Sequence, residues 1–242
     1  MKTEYINDKK RVRRDTNQNL LSFKIGVNIM TKENEHRRLV MNLMILLTLH
    51  LIFRIIHSIN IENIAVIISI EVLSLIFLLT YLYKRNEINI KELFKVENLK
   101  YIVIGCIMMK AVTIVFSLIA EKYGIMRIQG DILHGITNNL RDLSIVEYYI
   151  VSILWIPIIE EFQYRYIFIG EVGNVSNTKN VEKSMVILST ALYAFSYELG
   201  SPLYCVMYFL IGIIPAIIYC KTKRIDICIV TSMIYSVLNI FL

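Results

Sequence analysis

The sequence predicts an all-α bundle of about seven transmembrane helices, and three observations carry that expectation. The 242 residues are 56% hydrophobic with a mean hydropathy of +0.56, whereas a soluble domain is about 45–50% apolar. The apolar residues gather into seven runs, several near the ~20 residues a spanning helix needs. Lysine and arginine fall mostly between those runs, which explains the formal net charge of +6 by membrane topology and not by nucleic-acid binding.

Residues 1–38 form a polar tail whose cluster Lys9, Lys10, Arg11, Arg13 and Arg14 fixes orientation from the cytoplasmic side. Such a cluster also attracts anionic headgroups, at about 1 kcal/mol per basic residue near the surface. Leu20–Met30 is apolar but too short to span and is expected in the interface. The bundle occupies residues 39–242, with runs over 39–58, 61–83, 101–120, 145–168, 185–199, 202–220 and 225–242. The fifth is the shortest. No internal repeat and no linker rich in proline, glycine or serine divides it.

With the N-terminus in the cytoplasm and seven crossings, the tail and the loops after runs two, four and six hold nearly all the basic residues. The outer loops hold only Lys122, Arg127 and Arg141. The expected location is a bacterial plasma membrane, as a multi-pass protein with its C-terminus outside. Residues 121–144 read as an outer loop broken at Gly124 and Gly130, with His134 exposed on it. Cys106, Cys205, Cys220 and Cys228 lack metal-type spacing and are expected as small packing residues without disulfides. No signal peptide is visible at the polar, basic N-terminus.

The stretch that asks for chemistry is Pro157-Ile158-Ile159-Glu160-Glu161-Phe162-Gln163-Tyr164-Arg165. Ionisable groups at membrane depth cost about 2.5–3.5 kcal/mol each on insertion scales. On a helix Glu161 and Arg165 share a face and can pair. Glu160 lies about 100° round the helix, without a local cation, and is free to serve as a general base. Pro157 removes a backbone donor and is expected to kink the helix, making room for water or substrate. Downstream, Ala194-Phe195-Ser196-Tyr197-Glu198-Leu199 ends the fifth run, and Tyr235 and Asn239 stand four apart in the seventh, both able to donate hydrogen bonds. Asn239 taken alone is equally good interhelical glue.

These motifs resemble those of the family of CAAX prenyl endopeptidases and bacteriocin-processing or immunity proteins (the CPBP family), over about residues 145–242. Glu160-Glu161-x-x-x-Arg165 matches its first motif. Phe195 to Leu199 stands at the place of Phe-x-x-x-His, and Tyr235 to Asn239 at that of His-x-x-x-Asn. Phe209 to Thr222, with Gly212, Tyr219, Lys221 and Thr222, looks like its penultimate helix and turn. The resemblance implies Glu160 as base, Glu161 and Arg165 as a supporting pair, and Asn239 as oxyanion donor. Tyr235 accompanies Asn239, and Phe195 and Glu198 fall on the substrate side. Both family histidines are absent: Leu199 and Tyr235 replace them, and His36, His50, His57 and His134 all precede the fourth run. Leucine moves no proton, and a tyrosine, with a reference pKa of about 10, is a poor base at neutral pH. Glu198 adjoins position 199 but points about 100° away.

The implied activity is glutamate-dependent intramembrane endopeptidase of the CAAX-processing type, on a prenylated or hydrophobic peptide. The alternative is a degenerate member that keeps the fold as a scaffold, or as a bacteriocin self-immunity protein, and binds a membrane partner; residues alone favour weak or absent catalysis. A transporter using Arg54, Glu71 and Lys110 is a third class. These three read better as structural pairs or snorkelling groups, and no pair of interrupted helices points to transport. Membrane lipid is the surrounding partner; no metal or cofactor site is expected, since no His/Cys cluster follows the fourth run.

Overall fold

In the computed structural model the described residues are 34–52, 64–125, 145–173, 179–198 and 200–242, and they form eight helices. In chain order these are α1 (34–52), α2 (Ile64–Lys84), the single turn α3 (Ile90–Leu93) and α4 (Val96–Lys122). Then follow α5 (145–172), α6 (Lys179–Tyr197), α7 (Pro202–Thr222) and α8 (Ile225–Phe241). Three stretches are long and apolar enough to cross a membrane: Val66–Lys84, Val96–Lys122 and Pro202–Thr222. Each expected apolar run overlaps a helix among the described residues. The fifth begins earlier than its hydropathy predicts, at Lys179, because a polar first turn with Glu182 and Lys183 precedes the apolar part. The basic cluster, Leu20–Met30, Arg54, His57, His134 and Leu199 lie outside the described residues.

Apolar side chains cover much of the outer surface, as lipid as solvent requires, with Leu73, Phe77, Val103 and Ile107 all more than half exposed. The inside is packed around α7, which lies against α4, α6 and α8. Gly105 of α4 permits the closest approach. A methyl group there would sit 2.8 Å from both Ile218 of α7 and Thr231 of α8, so the backbones meet as small residues allow in membrane bundles.

Polar links tie the helix ends. Arg224 donates to Asp226 and to the Asn89 carbonyl (2.9 Å), while Asp226 accepts from the Asn89 amide (3.1 Å), clamping the α2–α3 turn to the start of α8. Arg38 of α1 pairs with the buried Glu171 of α5 at 2.6 Å. The Tyr81 hydroxyl bonds Asn42, which joins α1 to α2. In the turn after α2, burial pushes the Glu87 carboxyl above its ordinary range, against a hydrogen bond from the Tyr166 hydroxyl (3.2 Å). Glu71 is wholly buried in α2. Cys106 and Cys228 are buried, and all four thiols are free.

Candidate functional site

The site begins with an unusual winding of α5. Ile145–Ile150 is α-helical, Val151–Trp155 is π-helical, Ile156–Glu160 is α-helical, and Glu161–Val172 is π-helical again. Pro157 has no N–H to give, so the ladder is broken there in any register. Wider i→i+5 turns on both sides take up the break, a device common at functional sites. Glu160 closes the short α-helical link, and Glu161 opens the second π-helical stretch.

The two glutamates then part company. Glu161 is 2% exposed; its Oε1 accepts from Ser232 Oγ of α8 at 2.7 Å, and its Oε2 lies 3.3 Å from Arg165 Nε. Arg165, 1% exposed, donates through Nη2 to the Gly212 carbonyl of α7 (2.8 Å) and stacks its guanidinium over the Tyr193 ring, 5.0 Å from the centroid. Gly212 is required in this contact. A methyl group there would meet Tyr193 Cδ1 at 2.6 Å. The pair is thus the hub that holds α5, α6, α7 and α8 together.

Glu160 instead faces a cavity of about 450 Å³. The Tyr197 hydroxyl of α6 donates to Glu160 Oε1. Tyr193, Tyr197 and Tyr208 form an aromatic wall, with Tyr193 and Tyr197 4.9 Å apart and Tyr197 stacked on Tyr208 at 4.7 Å. The opposite wall comes from α4 and α8. The Tyr235 hydroxyl shares a 2.7 Å hydrogen bond with Thr113 Oγ1, and Lys110 Nζ donates to the Leu238 carbonyl (3.1 Å) and to Asn239 Oδ1 (3.2 Å). Lys110 is the one charged residue between Lys100 and Glu121 of α4. Asn239 is exposed at the cavity mouth.

The structure therefore brings together Glu160, Tyr235 and Asn239 around one space, with Glu161 and Arg165 packed behind it. It does not bring Phe195 or Glu198 there. Phe195 is half exposed on the outside of α6, and Glu198 is buried with its Oε1 accepting from the Gly200 (2.8 Å) and Ser201 (3.1 Å) amides, where it shapes the turn into α7. In this structure Phe195 thus faces outward and Glu198 holds a turn. The polar side chains that motif spacing passed over are Tyr197, Tyr193, Lys110 and Thr113. Among the described residues no histidine lines the cavity, and no cluster of three or more His, Cys, Asp or Glu side chains is placed to hold a metal ion.

Residues 142–238 match the family model described as type II CAAX prenyl endopeptidase Rce1-like. This chain carries an Rce1-like domain. With its long apolar helices, it is a multi-pass membrane protein. Neither the curated proteins nor the solved structures offer a match to the chain. The Rce1-like domain spans α5 to most of α8, and stops one residue before Asn239. The cavity is wider than the domain, because Met109, Lys110 and Thr113 come from α4.

Chemically the arrangement offers one carboxylate open to a cavity and, around it, groups that donate. Tyr197, Tyr235, Thr113 and Ser236 bring hydroxyls, Asn239 an amide and Lys110 an ammonium. A carboxylate can take a proton from water, and the donors can hold a polarised carbonyl. A second proton-accepting side chain is missing from the cavity wall among the described residues, since the partner of Glu160 is a phenol.

Proposed function

We propose that this Rce1-like protein holds a prenylated or otherwise hydrophobic peptide in the cavity at Glu160 and turns it over weakly or not at all. The observation that carries the reading is the Tyr197–Glu160 hydrogen bond. It gives Glu160 a donor for a partner, whereas water activation is helped by a second acceptor, and Tyr235, in place of the other family histidine, is engaged with Thr113. The aromatic wall supports the peptide reading, since ligand pockets of about 300–1,000 Å³ are typically apolar and aromatic with few polar groups. Loss of a positioned acid–base partner typically costs about 10²–10⁴-fold in rate. A non-catalytic scaffold or bacteriocin self-immunity protein is the cellular role that fits such a holder. Seven crossings of a bacterial plasma membrane, with the N-terminus in the cytoplasm, complete the reading. Cysteine-accessibility labelling at Asn17 and in the 124–139 loop tests that topology, and labelling of both from one side sinks it.

The deciding experiment is incubation of the purified protein with an S-farnesylated CAAX tetrapeptide and with a bacteriocin leader peptide. Binding without detectable cleavage is expected. Robust turnover that disappears in Glu160→Gln overturns the reading, and makes the chain a working glutamate peptidase without histidines.

A further inference from the structure

Lys110 stands near the middle of α4, at membrane depth, and its ammonium donates to two neutral oxygens, the Leu238 carbonyl and Asn239 Oδ1. Among the described residues no carboxylate, the terminal one included, comes within ion-pair distance of it. Intramembrane charges usually pair, and one that does not marks a ligand path. An ammonium carries three donors, so one remains for a third partner. Asn239 reinforces that partner's chemistry. With Oδ1 turned to Lys110, its amide nitrogen is left as a donor at the cavity mouth.

We infer that Lys110 and Asn239 form a binding site for the C-terminal carboxylate of the peptide, an inference that rests on the peptide-holding reading above. Two donors on neighbouring groups suit the two oxygens of one carboxylate. A phosphate headgroup is served less well, because a single cation faces it. The lining fixes the direction: the donors that suit a carboxylate stand together at the Lys110–Asn239 mouth, while the ligand's apolar side chains run inward along Tyr193, Tyr197 and Tyr208 toward Glu160. Lys110 thus acts as a specificity determinant that selects free C-termini and sets the peptide's polarity.

The test compares binding of an S-farnesylated tetrapeptide as the free acid and as the C-terminal amide, to the unaltered protein in detergent. The free acid is expected to bind at least about tenfold tighter. Lys110→Met should erase that preference and Lys110→Arg should keep most of it, with monodispersity of each variant checked by gel filtration. Equal binding of acid and amide by the unaltered protein overturns the carboxylate site and leaves the peptide reading standing. Binding of neither peptide overturns the reading beneath it as well. If oleate binds in a Lys110-dependent way while the free-acid peptide does not, the anion comes from lipid, and the assignment to peptide falls.

Discussion

Glu160 and Glu161 are adjacent in sequence, yet they meet opposite surroundings. Glu161 is enclosed by Ser232 and Arg165, on a face where α5, α7 and α8 close against one another. Glu160 opens to a cavity and touches a single hydroxyl. The winding of α5 changes register between them, so one residue faces the cavity and the next ties the bundle together. The lesson is that a pair of charges in a membrane helix need not share a purpose. Burial and the number of partners separate the member that ties the bundle from the one that faces the cavity.

The largest way to break this contrast is on the enclosed side. Arg165→Met and Glu161→Gln each strand a buried partner, at a cost of roughly 3–5 kcal/mol. The yield of monodisperse protein in detergent should fall steeply for both. Gly212→Ala comes next. The added methyl group meets the Tyr193 ring at 2.6 Å, and overpacking of this kind costs about 1–3 kcal/mol. It should lower the thermal midpoint and weaken peptide binding together, because Tyr193 lines the cavity. Ser232→Ala removes a donor from a buried carboxylate oxygen, and about 1–3 kcal/mol of stability should go with it. On the open side, Glu160→Gln and Tyr197→Phe should change stability by only about 0.5–1.5 kcal/mol. Equal losses across Glu160, Glu161 and Arg165 would dissolve the distinction.

The smallest effect concerns Glu87, outside the bundle. Burial raises its carboxyl above the unfolded value. Its contribution to stability is therefore fully present below the unfolded pKa and is lost as pH rises through the folded one. Glu87→Gln should match the parent in acid and gain on it as pH rises to neutrality, by no more than about 0.5 kcal/mol. A thermal-melt series across pH reads the difference.

The long helices were legible because lipid demands contiguous apolar residues, and the sequence shows them as runs. The pairing of Glu161 with Arg165 was legible from their spacing. Tyr197 was not, because the motif singles out Phe195 and position 199 and leaves the residues between them unmarked. The side chain that reaches Glu160 comes from two positions before Leu199. Glu198 looked like chemistry, although a carboxylate just before Gly200-Ser201-Pro202 is well placed to accept from the amides of a turn entering a helix. The π-helical winding of α5 escapes any reading that assumes 3.6 residues per turn. Lys110 was visible as an oddity, but its partners lie 128 and 129 positions away, a separation that no local pattern encodes.

The wall that α4 lends to the cavity bears on where this protein can be divided. The Rce1-like match covers 142–238, but Lys110 and Thr113 lie upstream of it and Asn239 just past it. A fragment trimmed to the match would lose the cation and the hydroxyl that partners Tyr235, and would expose the groove where Gly105 fits against Ile218 and Thr231. Homology and physical autonomy thus have different borders here. Any minimal folding unit must begin no later than α4, and grafting experiments should move α4 and α8 as one piece.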